Sequence, residues 1–299
     1  MHQRGLKPIL KWAGGKTQLL AEISHAYPDE FGKTIRRYAE PFVGGGAVLF
    51  DILSKYELDE VYISDVNAEL INMYLNVRDN AEELIAILTK YQDEYHMLDS
   101  EGQKQYYYRK RDEFNNLIVS GKSKTGVQSA ALFIFLNRTC FNGLYRANRS
   151  GLFNVPKGAL TNPLICNKEN ILAVSSALQN VQIVCGDYSV SRKFIDKHTL
   201  VYLDPPYRPL KGRDSFISYT ETEFDDSCQR ALAGFIEEMD AKGAYIILSN
   251  SDPKNVDQED DFFEDLYADY DVQHINAKRK INRNADSRGY ITELLIKNY

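Results

Sequence analysis

The densest chemical signal in the chain is Asp204-Pro205-Pro206-Tyr207, directly after the apolar run TLVYL. Two consecutive prolines remove two N–H donors and fix φ, so the carbonyls there are rigidly aimed. An acid, a fixed carbonyl and an aromatic ring are expected to face one crevice. That set suits a planar amino group attached to a π system. Asp204 and the Pro205 carbonyl would accept its two N–H bonds while Tyr207 stacks on the ring. A strand-ending turn with an incidental acid is the competing reading.

Two glycine-rich segments add to this. In YAEPFVGGGAVLF a strand ends, glycines follow and a helix begins. Gly44 and Gly46 would let the backbone approach a ligand closely. About 20 residues further on, the next strand ends in Asp65, suited to the hydroxyls of a ribose. The dinucleotide fingerprint is absent, because its third glycine would fall on Leu49. In KWAGGKTQLL, Gly15-Lys16-Thr17 invites a P-loop reading, but the required earlier glycine is replaced by Leu10, which excludes that form of ATP binding. A lysine at a helix start still makes an anion site suited to a carboxylate. A capped surface helix is the alternative.

These residues need a scaffold that presents strand ends. Short β-branched and aromatic runs recur with helical stretches between them: RRYAEPFV, DEVYISD, VQIVCGD, TLVYLDPP and GAYIILSN, then DVQHINAK and YITELLIKN. Such alternation predicts an α/β fold with a mostly parallel sheet of seven strands. It breaks between about 80 and 166, where three helices are expected (AEELIAILTKYQDEYHML, QYYYRKRDEFNNLIV, VQSAALFIFLNRT). A segment with a hairpin turning near Asn148 to Gly151 should follow. The expected division is a catalytic domain of 1–78 plus 167–299 and an inserted domain of 79–166.

Composition sets the wider limits. At 299 residues, 43% hydrophobic and 26% charged, the chain is an ordinary globular protein. Its longest apolar run, Ala130 to Leu136, is far below the roughly 20 residues of a membrane span. No signal-peptide core opens it, so a cytoplasmic location is expected. Four dispersed cysteines without a CxxC pair, and no His/Cys/carboxylate cluster, imply neither disulfide framework nor metal site. Net charge is −6, but Lys104 to Lys157 holds ten Lys and Arg against two acids, +8, leaving −14 elsewhere. A basic block in an acidic body suggests a surface for a polyanion. A solvated basic helix is the alternative.

Taken in order, the Trp-Gly-Gly-Lys segment, EPFVGGGA, a basic insert and DPPY resemble the Dam-type (D12-class, α-group) DNA N6-adenine methyltransferases over essentially the whole chain. The insert's RTCFNGLYRANRSGLFNVPKG is similar to that family's DNA-reading hairpin. The resemblance implies a Rossmann-like methyltransferase sheet with an inserted target-recognition domain. It further implies S-adenosylmethionine as donor and adenine N6 of duplex DNA as acceptor, flipped from the helix and most readily within GATC. Trp12, Lys16, Phe42, Gly44, Gly46, Asp65, Asp187 and Asp204 would bind the cofactor. Asp65 would take its ribose, Asp187 its adenine amino group and Lys16 its carboxylate. Asp204, Pro205 and Tyr207 would act on the target base.

In the insert, Phe141 and Asn142 resemble the aromatic–Asn wedge, and Leu144 and Arg146 the base readers. Arg146 would bond guanine O6 and N7. Pro156 would lie near a thymine methyl, and Arg138, Arg149 and Lys157 would meet phosphates. Surface salt bridges are the alternative for each arginine. The stretch Lys278 to Gly289 is expected to be a loop between the last strands, either clamping the DNA backbone or solvated. No Pro-Cys dipeptide occurs, which excludes cytosine C5 chemistry. A monomer is the default state, and a restriction-modification context fits the family. An RNA or protein methyltransferase of the [DN]PPY type and a catalytically silent DNA-binding regulator are the competing functions.

Overall fold

The computed structural model describes residues 5–12, 14–208, 224–278 and 290–299. Of the loop expected over Lys278 to Gly289, Lys278 is the last residue of a strand and 279–289 lie outside the described residues. Seven strands form one sheet: β1 (Arg37–Glu40), β2 (Glu60–Asp65), β3 (Val181–Cys185), β4 (Thr199–Leu203), β5 (Tyr245–Ser251), β6 (Asp271–Lys278) and β7 (Tyr290–Lys297). Their order is β3-β2-β1-β4-β5-β7-β6. β1 pairs in parallel with β2 and β4, and β4 with β5, whereas β7 runs antiparallel to β5 and β6. The seven-stranded, mostly parallel sheet expected from the sequence is therefore present. β4 is buried at all five positions, which explains its unbroken apolar sequence: a central parallel strand is covered on both faces.

Strand order reverses between β1 and β4, the topological switch point where open α/β sheets bind ligands beyond the strand carboxyl ends. Asp204 is the first residue after β4.

Nine α-helices of the described residues accompany the sheet: α1 (Leu20–His25), α2 (Ala47–Lys55), α3 (Ala68–Asp79), α4 (Ala81–His96), α5 (Ser100–Val119), α6 (Val127–Thr139), α7 (Lys168–Leu178), α8 (Asp226–Ala241) and α9 (Phe262–Leu266). Several starts are written in the sequence. Asn67 caps α3, Asp99 caps α5 and Asp225 caps α8, each accepting backbone N–H bonds through its side chain. The three helices expected in the insert are α4, α5 and α6.

The chain divides into two compact units, 1–15 with 43–56 and 64–186, and 16–42 with 57–63 and 187–299. The core of the first unit is α6, which packs against α3, α4 and α5. Ten of its 13 residues are buried, consistent with a helix apolar on almost every side. The second unit holds β1, β4, β5, β6 and β7 with α8 and α9. No described helix is long and apolar enough to cross a membrane.

Candidate active site

In the second unit, β4 delivers Asp204 and a short 3-10 turn, Lys16–Gln18, delivers Lys16. The Lys16 ammonium lies 2.9 Å from Asp204 Oδ1 and 3.3 Å from Glu293 Oε2. It also donates to the Tyr207 hydroxyl at 2.9 Å and sits 4.8 Å from the centre of that ring. Lys16 is only 3% exposed. Burial alone would lower its pKa, but Asp204, with Tyr207, Tyr202 and Glu293, holds the ammonium well above the ordinary lysine range. The anion facing Lys16 is thus a carboxylate of the chain itself.

Asp204 receives a second bond at the same oxygen, from the Ser249 hydroxyl at 3.2 Å. Ser249 is held by the buried Tyr202 hydroxyl at 2.8 Å. Among the described residues no hydrogen bond reaches Asp204 Oδ2 or the Pro205 carbonyl. The side chain of Asp204 is 21% exposed, so the acceptor left over is the one open to a substrate. Burial pushes the Asp204 carboxyl above its ordinary range, and Lys16 pulls against that shift.

The segment after Asp204 is fastened at two further points. Gln229 of α8 donates to the Pro206 carbonyl at 3.3 Å and accepts from Asn250 of β5 at 3.2 Å. Arg208 bonds Asp226 and Asp260 and covers the Phe262 ring at 4.1 Å. Tyr207 remains 39% exposed. Phe42, just beyond β1, packs on Tyr188 with ring centres 5.6 Å apart and edge-on to Phe224 at 6.1 Å. Asp187 is exposed and caps the turn Tyr188–Lys193 by accepting from Ser189 N–H at 2.8 Å.

In the first unit, the Asp65 carboxylate clamps the glycine loop. Its oxygens accept from Gly44 N–H at 3.1 Å and Asn67 N–H at 2.9 Å. Burial raises the Asp65 carboxyl, and these backbone donors oppose the rise. The glycines have a reason beyond ligand access. Gly44 and Gly46 take φ of +46° and +72°, and a Cβ at Gly44 would lie 2.9 Å from the Trp12 indole. At Gly46 it would lie 2.6 Å from the Tyr74 hydroxyl. Trp12 itself stacks on Tyr145 at 6.0 Å, and Tyr145 packs on Phe133 and Phe153.

The loop after α6 belongs to the same unit. Antiparallel bridges join Cys140 to Lys157 and Ala147 to Phe153, and the turn at Asn148 to Gly151 closes through Gly151 N–H to the Asn148 carbonyl at 2.9 Å. The expected hairpin is a narrow loop with isolated bridges, not a regular pair of strands. The buried Asn137 supports its base. Its side chain accepts from Lys11 N–H and donates to the carbonyls of Lys11 and Gly143, all within 2.9 Å. Phe141 is 51% exposed, and Asn142 stands in the left-handed region at φ +56°.

Leu144 is half-buried, whereas Arg146, Arg149 and Pro156 are exposed. The Arg146 guanidinium donates to the Asn154 side chain at 2.8 Å. Arg138 is largely buried, its Nε has no partner among the described residues, and burial lowers its pKa. The Lys157 ammonium bonds the Gly158 carbonyl at 3.1 Å.

The sequence reading missed Glu293, Gln229, Arg208 and Tyr145. Ser249 and Asn250 lie in GAYIILSN, read there only as a strand. Among the described residues no group of three or more His, Cys, Asp or Glu could hold a metal ion.

A family profile described as "D12 class N6 adenine-specific DNA methyltransferase" matches residues 12–281. The chain is 46% identical to "Type II methyltransferase M.MjaIII" of Methanocaldococcus jannaschii, across 98% of this chain and 99% of that protein. It is 36% identical to "Type II methyltransferase M1.LlaDCHI" of Lactococcus lactis subsp. cremoris, across 98% and 96%. It is 32% identical to the "DNA adenine methylase" of Haemophilus influenzae, across 97% and 92%.

Proposed function

Because the chain belongs to the D12 class of N6 adenine-specific DNA methyltransferases, we propose that it methylates N6 of an adenine flipped out of duplex DNA, most readily within GATC. The observation that carries the chemistry is the state of Asp204. Lys16 and Ser249 both engage Oδ1, which leaves Oδ2 to accept from the target amino group. The Pro205 carbonyl takes the second N–H and Tyr207 stacks on the base. Adenine N6 is a poor nucleophile because its lone pair is delocalised into the ring. Two acceptors draw N6 towards tetrahedral geometry and localise that pair, and positioning supplies much of the rate.

S-adenosylmethionine, when bound, supplies an electrophilic sulfonium methyl. The donor set fits such a group: an indole, a carboxylate fixed by two backbone N–H bonds at a strand end, and an exposed acid beside an aromatic ring. Trp12, Lys16, Phe42, Gly44, Gly46, Asp65, Asp187 and Asp204 are the residues proposed to hold it. Asp65 takes the ribose hydroxyls and Asp187 the adenine amino group. Lys16 meets the methionine carboxylate with an ammonium that it shares with Asp204.

Residues 79–166 form the proposed target-recognition insert on a catalytic part of 1–78 and 167–299. Phe141 and Asn142 fill the stack, Leu144, Arg146 and Pro156 meet base edges, and Arg138, Arg149 and Lys157 meet phosphates. The exposure of Phe141 supports stacking. GATC is carried by the likeness of this loop to Dam-type readers. The protein acts as a monomer in the cytoplasm, alongside its DNA.

Labelled methyl donor offered together with duplex DNA and RNA tests the acceptor. Label confined to duplex adenine is expected, and label in RNA or in protein would overturn the proposal.

A further inference from the structure

Glu293 belongs to none of the motifs above, yet it lies inside the polar cluster. Its side chain is 14% exposed, with Oε2 3.3 Å from the Lys16 ammonium. That oxygen is shut off from solvent and has no hydrogen-bond partner among the described residues. Register explains its position. Glu293 stands opposite Ser251 of β5, and strand alternation puts Ser249, the donor to Asp204, on the same face as Ser251.

Among the described residues, two carboxylates around one buried ammonium leave the cluster one negative charge in excess. The groups acting most strongly on Lys16 are Asp204, Tyr207, Tyr202 and Glu293, and no second cation is among them. A buried carboxylate oxygen without a hydrogen bond costs stability. Asp204 alone would already neutralise Lys16, so folding gives no reason for a second acid there.

We propose that Glu293 is a positioning residue for methyl transfer: by sharing Lys16 with Asp204, it leaves the cluster with the net negative charge that matches the positive charge passing to adenine N6. This rests on the reading that Asp204 receives the N6 amino group. In the transfer, the N6 lone pair forms the N–C bond as the S–C bond breaks. The electrons of the broken bond stay on sulfur, now a neutral thioether. N6 carries the positive charge until one of its protons leaves to solvent. A site with one excess negative charge favours the cation before and after transfer. Without Glu293, Lys16 cancels Asp204 and that preference is lost.

Calorimetry with S-adenosylmethionine, a sulfonium, and S-adenosylhomocysteine, its neutral thioether product, reads the charge without catalysis. Glu293→Gln is expected to lose about tenfold of the preference for the sulfonium while holding the thioether as before. In the same variant kcat should fall about tenfold with KM for duplex DNA unchanged, and Glu293→Asp should recover most of both. A wild-type preference and kcat in Glu293→Gln would overturn the proposal, as would equal weakening of both ligands. Asp204→Ala runs beside it as the control. An Asp204→Ala enzyme that keeps its kcat would overturn the underlying reading, and the Glu293 proposal with it.

Discussion

The end of β4 and the loop after α6 carry the residues proposed to touch DNA, and they are built in opposite ways. At Asp204 almost every polar atom has a partner: Lys16, Ser249 and Tyr202 on one side, Gln229 and Asn250 behind the prolines. What stays open is one carboxylate oxygen and an exposed ring. The loop from Phe141 to Lys157 is fixed at its base by Asn137 and at its tip by Asn148; between them Tyr145, Phe153 and Val155 turn inward, whereas the proposed contacts Phe141, Arg146, Arg149 and Pro156 are exposed. The contrast follows from the two tasks. A reacting amino group needs acceptors held in place before it arrives, because reorganising them would raise the barrier. A base edge is read by groups that exchange water for DNA, so they must be exposed first.

The largest effect is expected at Asp204. Asp204→Ala should lower kcat about a thousandfold or more, with cofactor affinity reduced far less, as measured by single-turnover methylation and calorimetry. A smaller loss would mean that the Pro205 carbonyl and positioning carry the reaction.

Next comes Lys16→Met, which leaves Asp204 and Glu293 buried without their cation. Loss of about 3–5 kcal/mol in denaturant unfolding is expected. It should also change the pH profile. Asp204 accepts only when ionised, so activity falls as pH drops through its pKa. Burial raises that pKa, which puts the acid limb above the ordinary aspartate range. Removing Lys16 should move the limb further up, and removing Glu293 should move it down. Shifts in the same direction for both variants would contradict the charge balance described here.

Smaller changes are expected in the loop. Arg146→Ala should cost about 1–3 kcal/mol in binding and relax selection at one base pair while leaving the melting temperature unchanged. Uniform weakening on all sequences would make Arg146 a phosphate contact instead. Phe141→Ala, at a half-exposed ring, should change unfolding by less than about 0.5 kcal/mol and act on the DNA complex alone. A large drop in stability would show that Phe141 is a core residue of the loop.

The sheet was legible because its strands are short runs rich in β-branched and aromatic residues bounded by turn residues, and β4 with DPPY puts strand, turn and acid side by side in the chain. α6 was legible for the same reason, in VQSAALFIFLNRT. The partners of Asp204 were not. Ser249 reaches it from the neighbouring strand β5, and Glu293 reaches its partner Lys16 through the β5·β7 register, where a one-residue slip of β7 would turn the glutamate to the other face. Nothing local in YITELLIKN marks its glutamate. The glycine segment was found, but with half of its reason: Trp12 and Tyr74 fill the space that a Cβ would need. Tyr145 was passed over between two proposed readers, although it turns inward to stack on Trp12.

Single-molecule sequencing of unmethylated plasmid DNA, after incubation with the protein and S-adenosylmethionine, tests the central claim most directly, because it reports base and context together. The proposed mechanism predicts N6-methyladenine confined to GATC with the wild-type protein and none with Asp204→Ala. N6-methyladenine at another sequence would contradict the reading of the loop, and full modification by Asp204→Ala would contradict the role of the acid at the end of β4.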